Sequence, residues 1–265
     1  MGPALKEEVR STRACTYEGS RLTFRGPPRP VDGDFVACLG GAGTLGRDMA
    51  RPWPAVLEKR LGRPCPNLGL AEAGPEAYLA DPAILEVIGR SRAAVIEVTG
   101  AQNLSNRYYR VHPRRNDRFV SASDALKALY RDVDFSQICF TGHLLTTLSA
   151  VSPRRFELVK AELQQAWLGR MRRLIDLAGP NVVLLVLPGA GSLGPEPLFV
   201  TEPLLQRLTP RVRGIVIAER DGRARADAPD TFRHERAADA AAALLQAHSF
   251  SVSSGTMVNR SPTSP

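Results

Sequence analysis

The residues best suited to chemistry fall into four clusters. Leu39-Gly-Gly-Ala-Gly-Thr-Leu-Gly46 follows an apolar run. Its glycines let backbone N–H groups approach a phosphate or a developing oxyanion. Asn67-Leu68-Gly69 closes a second apolar run, and Gly100-Ala101-Gln102-Asn103 follows a third. Asp230 and His234 stand just before the last helical pattern. Arg107, Arg110, His112, Arg114, Arg115 and Arg118 form a basic cluster interleaved with Tyr108, Tyr109 and Phe119. Guanidinium forks bind carboxylate, phosphate or sulfate in a bidentate way, so Arg107, Arg114 and Arg115 are expected to bind an anion. None of the histidines has metal-ligand spacing, and no metal is expected. His143, in an apolar run, reads as a core or boundary residue, and His248 as solvent-exposed.

Gly41-x-Gly43-x-x-Gly46 matches the dinucleotide fingerprint letter for letter. That motif needs a helix to start at once, so that its N-terminus meets the pyrophosphate. Pro52 and Pro54 interrupt the helix that would follow. The second run ends in Asn67-Leu68-Gly69 and not in the acidic residue that would hold a ribose. A Rossmann nucleotide-binding oxidoreductase is therefore an alternative, and no cofactor is expected.

The same clusters, in order, resemble the blocks of the SGNH (GDSL-like) hydrolases. Leu39 to Gly46 stands where that family has L-G-D-S-x-T-x-G, and Trp53-Pro54-Ala55-Val56-Leu57 where it has W-P-x-L-L. Asn67-Leu68-Gly69 corresponds to N-x-G, and Gly100 to Asn103 approximates G-x-N-D. Asp230 and His234 approximate D-x-x-H with one residue too many. The resemblance implies a nucleophile at position 42 and a base at His234. Oxyanion donors would come from Gly41, Gly69 and the amide at 102 or 103. Position 42 is Ala, which cannot attack an acyl carbon. The expectation is an SGNH-like protein without the usual nucleophile, binding an anionic or acylated small molecule around Gly41, Ala42, Gly69, Gln102 and Asn103. The alternative is a residual ester hydrolase or acyltransferase using Thr44 or water, with His234 as base. The stretch from Gly100 to Phe119 also resembles an uncharacterised alphaproteobacterial domain family.

The elements that must position these clusters alternate. Strands are predicted at Phe35–Leu39, Cys65–Leu68, Ala93–Val98, Asn181–Leu187 and Gly214–Ala218, because the runs are short and mostly apolar. Helices are predicted over 52–61, from Asp81-Pro82 to about Arg90, and from Ser152-Pro153 onward. The last carries an apolar stripe at Phe156, Val159, Leu163, Trp167, Met171, Leu174 and Leu177. A final helix is expected over 235–248. This pattern predicts a three-layer α/β domain with a five-stranded, mostly parallel sheet, flavodoxin-like and SGNH-hydrolase-like. Strand one is placed at the centre of the sheet and strand two at an edge. Loops at the carboxyl ends of the strands then carry function. Residues 1–30 read as an arm, 31–250 as the domain and 251–265 as a disordered Ser/Pro/Thr-rich tail. An insertion over about 104–150 is expected to hold one or two helices, such as Ala122–Arg131.

The formal charge of +8 is carried almost wholly by arginine, with only Lys6, Lys59, Lys127 and Lys160 as lysines. With abundant Ala, Gly and Pro, this bias points to a GC-rich bacterial genome. The clustered arginines are confined to one loop without a nucleic-acid-binding motif, which argues against a nucleic-acid partner. Cys15, Cys38, Cys65 and Cys139 lack paired spacing, and Cys38 and Cys65 read as buried small hydrophobes. Without a secretory h-region or an apolar stretch of about 20 residues, a cytoplasmic protein is expected.

Overall fold

Five short apolar runs pair into one parallel sheet. The structure is a computed structural model that describes residues 14–220 and 230–247. Strands β1 (Val36–Gly40), β2 (Asn67–Gly69), β3 (Ala93–Glu97), β4 (Val182–Val186) and β5 (Gly214–Ile217) lie in the order β2-β1-β3-β4-β5. Every pair in this sheet is parallel. This is the doubly wound order; β2 lies at an edge as expected, but β3 and not β1 is central, because the chain crosses from β2 over β1 to pair β3 on its other side.

Period-two alternation sends neighbouring side chains to opposite faces. Val36, Cys38, Val95, Val183 and Leu185 pack under α2 (Trp53–Leu61) and α6 (Thr231–Gln246). Ala37, Leu39, Ala94, Ile96 and Leu184 pack under α3 (Pro82–Arg90) and α5 (Pro153–Ala178), and α4 (Thr141–Val151) extends that core. Caps set the starts. Asp81 accepts from the Ile84 N–H at 3.1 Å and Ser152 from the Arg155 N–H at 3.3 Å. The stripe of α5 is buried from Phe156 to Leu174, but Leu177 is exposed. Ile175 and Ala178 are buried in its place, because a 3.6-residue turn carries the buried face past a run of three-residue steps. Cys38 and Cys65 are buried, and all four cysteines are free thiols.

Three features depart from the expectations. Residues Ala14–Cys15 and Phe24–Arg25 pair as a small antiparallel ladder, and Tyr17, Leu22 and Phe24 are buried in the main core. From residue 14, the expected arm is thus packed on the domain. The insertion contains a helix at Asp124–Leu129 and α4, but it opens with an antiparallel hairpin, Tyr109–His112 with Arg115–Ala122. Its charged residues concealed the strand alternation. His143 is exposed on α4 and not part of the core, because the buried face there is Thr141, Leu144, Leu145 and Leu148. His248 and the expected tail lie outside the described residues. No helix among the described residues is long and apolar enough to cross a membrane.

Candidate functional site

In a doubly wound sheet the crevice for a ligand opens between β1 and β3, where the connections leave in opposite directions. Here a side chain of the protein fills it. After Gly40 the chain makes one helical turn, α1 (Ala42–Leu45), which Gly46 ends in the left-handed conformation at φ 57°. Glu97, at the end of β3, points into this turn. Its Oε2 accepts from the Gly41 N–H at 3.0 Å, the Thr44 N–H at 2.6 Å and the Thr44 hydroxyl at 2.5 Å. Gly43 gives it room, since a Cβ there would lie 2.6 Å from Glu97 Oε1. Burial pushes the Glu97 carboxyl above the usual carboxylate range, while the Thr44, Gly41 and Gly43 donors pull the other way. Arg233 of α6 contributes a nearby positive charge, and its guanidinium donates to the carbonyls of Ala218 and Pro188 at 2.8 and 2.5 Å. The amides that would meet a pyrophosphate or an oxyanion are therefore held by an internal carboxylate.

The remaining block residues are tied into structure in the same way. Thr44 is fully buried, so its hydroxyl is not presented to a substrate. Ala42 is exposed at the first position of α1. Gly69 donates its N–H to Asn67 Oδ1 at 3.0 Å, and Asn67 Nδ2 reaches the Thr44 carbonyl at 2.7 Å. A Cβ at Gly69 would lie 2.7 Å from the Thr44 carbonyl carbon and 2.8 Å from Leu45 Cα, so only glycine lets β2 and α1 approach this closely. Asn103 is buried as a clamp, accepting from the Thr141 hydroxyl at 2.7 Å and donating to the Glu72 carbonyl at 2.9 Å. Gln102 folds over Gly100, and its Oε1 is buried without a hydrogen-bond partner.

His234 is buried at the start of α6, where its Nδ1 accepts the Trp53 N–H at 3.0 Å. It thereby satisfies one of the free N–H groups at the start of α2. A neutral imidazole that accepts at Nδ1 carries its proton on Nε2, so it has no second free lone pair with which to take a proton. Burial, with the Arg233 charge beside it, pushes the ring's pKa down to about 4. Asp230 caps α6 by accepting from the Arg233 N–H at 2.9 Å.

A cavity of about 660 Å³ opens beside the carboxyl end of β2. Its wall includes Arg21, Arg25, Arg47, His112, Arg114 and Arg115, and no acidic residue among the described residues. Leu22, Leu45 and Leu70 supply apolar surface, and Gly69 lies at the margin. Asp81 positions the first arginine, because its Oδ2 accepts from the Arg21 N–H at 3.0 Å. Arg25 is engaged in structure, donating to the carbonyls of Leu45, Gly46 and Met49. The hairpin turn is held by His112, whose Nδ1 faces the N–H groups of Arg114 and Arg115 at 3.3 and 3.2 Å. Arg115 pairs with Asp117 at 3.4 Å, whereas Arg21, Arg47 and Arg114 make no ion pair among the described residues. Arg107 lies away from this wall, stacked 5.9 Å from the Tyr108 ring centroid. Of the site residues expected from the sequence, Gly69, Arg114 and Arg115 thus share one cavity. Ala42, Gln102, Asn103 and His234 do not line it.

A family model described as "Domain of unknown function (DUF6473)" matches residues 3–257. The chain belongs to this family. No curated protein matches the DUF6473 chain. A solved structure that does match is the crystal structure of a carbohydrate esterase family 2 enzyme plus carbohydrate-binding domain from Corynascus thermopiles (Myceliophthora fergusii). The identity is 12%, the match covers 84% of the DUF6473 chain and 69% of that chain, and the TM-score is 0.45.

Arg21, Arg25, Arg47 and Glu97 are the residues that sequence reasoning missed. Glu97 left a legible signal, as an acidic residue in a run (Ala93–Val98) whose neighbours are all apolar. A strand buried on both faces carries a charge only where donors await it. The three arginines left no such signal, since they stand in polar segments that read as surface.

Proposed function

We propose that this chain is an SGNH-like protein without acyl-transfer chemistry that binds a small anion in the arginine-lined cavity. The observation that carries the reading is a concave wall to which the described residues bring five arginines and no carboxylate. Like charges gathered around a recess repel one another, and an anion relieves that repulsion. The volume lies within the range of small-molecule sites. Support for the SGNH-like part comes from the strand order and from the order of the sequence blocks. These blocks fall at the carboxyl ends of β1, β2 and β3.

The alternatives meet specific obstacles. A residual hydrolase through Thr44 would need a hydroxyl that is buried and engaged with Glu97. His234 as its base would need the nitrogen that accepts from Trp53. A dinucleotide at the Gly-rich loop would have to displace the Glu97 carboxylate from the Gly41 and Thr44 amides.

Two measurements test the proposal. Titrations of the full chain with benzoate, phenyl sulfate and phenyl phosphate should show binding of at least one. Arg47→Ala or Arg114→Ala should weaken that binding about tenfold or more, the size expected for a lost charge-assisted hydrogen bond. Added salt should weaken it too. If none of the three binds at millimolar concentration, or if both variants bind like wild type, the cavity is not the anion site. Second, Ala42→Ser should hydrolyse p-nitrophenyl acetate no faster than wild type. Restoring a nucleophile does not restore the base or free the loop amides. A gain that His234→Ala abolishes would reinstate the hydrolase reading.

A further inference from the structure

The unpaired guanidiniums of the cavity come from three separate parts of the chain. Arg21 belongs to the N-terminal segment that Asp81 pins to α3. Arg47 follows α1, in the loop whose carbonyls Arg25 holds. Arg114 sits at the tip of the hairpin. His112 adds a fourth donor, because a neutral ring that accepts at Nδ1 bears its proton on Nε2. A planar carboxylate presents two oxygens and is satisfied by one guanidinium fork. Three forks on different walls, with an N–H besides, suit a group with several oxygens in a tetrahedral array and more than one charge. The same wall carries Leu22 and Leu70, both buried in the core behind it, and the cavity is far larger than one anionic group fills.

From this arrangement we infer that the ligand is a phosphomonoester dianion of a small molecule. Its phosphate sits among Arg21, Arg47 and Arg114, and its organic body lies against Leu22 and Leu70. The inference rests on the anion-binding reading and narrows it to one class. The inference is one of binding, with no bond made or broken, and among the described residues the wall holds no carboxylate to take a proton.

Phenyl phosphate and phenyl sulfate differ mainly in charge, because a phosphomonoester loses its second proton near a pKa of about 6 and a sulfate ester stays a monoanion. Calorimetric titration of the full chain at about pH 7.5 should find phenyl phosphate bound at least about tenfold more tightly than phenyl sulfate or benzoate, one added charge-assisted contact. At about pH 5.5 that advantage over phenyl sulfate should shrink about fourfold, as the dianion fraction falls. The charged and titratable groups facing the ligand are Arg21, Arg25, Arg47, Arg114, Arg115 and His112. Arg47→Ala and Arg114→Ala should each bring the two esters closer in affinity. Both residues are exposed, so the variants should keep the wild-type unfolding midpoint. Equal affinity for phosphate and sulfate esters would overturn the dianion assignment and leave the anion site standing. Binding of neither would overturn both. An advantage for phosphate that survives both substitutions would place the site elsewhere and overturn the assignment to this cavity.

Discussion

Glu97→Ala is expected to cost the fold about 3 kcal/mol, because buried backbone donors lose their acceptor. The substitution leaves the Gly41 and Thr44 N–H groups facing a cavity, while the Thr44 hydroxyl can still donate to the Leu39 carbonyl at 3.2 Å. Each unpaired buried donor costs roughly 1–3 kcal/mol, and only part returns through relief of the carboxylate's own desolvation. Glu97→Gln keeps one acceptor oxygen at the same place and should cost less than half as much as Ala. Urea unfolding of the three proteins at neutral pH measures both differences. Should Glu97→Ala fall within about 1 kcal/mol of wild type, the loop amides would have another partner, and the self-filled crevice would be the wrong description. The same result bears on function. A loop that needs Glu97 to be whole cannot also serve as an open phosphate or oxyanion cradle.

The second large effect is a loss of stability in mild acid that runs through His234. Its folded pKa of about 4 lies below the ordinary 6.5, so the folded state binds a proton there less readily than the unfolded chain. Its contribution is fully present above about pH 6.5 and is lost as pH falls toward 4. At about 1.4 kcal/mol per unit, the loss reaches about 3 kcal/mol across that window. Protonation would also set a charged N–H against the Trp53 N–H, ending the cap of α2. Glu97 acts in the opposite sense. Its raised pKa makes the folded state the better proton acceptor, which favours folding as pH falls. His234→Asn separates the two, since an amide oxygen can take the Trp53 N–H without titrating. Wild type should lose about 3 kcal/mol relative to this variant between pH 6.5 and 4. Parallel stability curves would mean that His234 is not held neutral by its surroundings.

The contrast between these two residues shows how far local pattern reaches. His234 was read as a functional candidate from its position before the expected last helix, but α6 begins earlier, at Thr231, because Asp230 caps it, and takes His234 into its first turn. Its role was not legible. The partner that fixes its tautomer is a backbone N–H 181 residues away in sequence, and no motif encodes which ring nitrogen meets it. Gly69 was read as an oxyanion donor, yet what requires a glycine there is the close approach of Thr44 and Leu45, which only the packed sheet creates.

The sequence by itself determined the order and type of the sheet elements, because their causes are local. Short, mostly apolar runs make strands buried on both faces, and Asp81-Pro82 and Ser152-Pro153 start helices through their own side chains and fixed φ. A parallel sheet then puts the loops of interest at one end. Tertiary structure alone decided what those loops hold. It turned Glu97 into the Gly-rich turn, 53 residues earlier at Thr44, and so closed the crevice that the motif advertised. It also folded residues 14–25 onto the core, which brought Arg21 and Arg25 to the wall that Arg114 and Arg115 reach from the hairpin. Periodicity and capping report on contiguous residues. Which distant side chain fills a cavity, and which charges gather around one, depends on packing between segments that share no local signal.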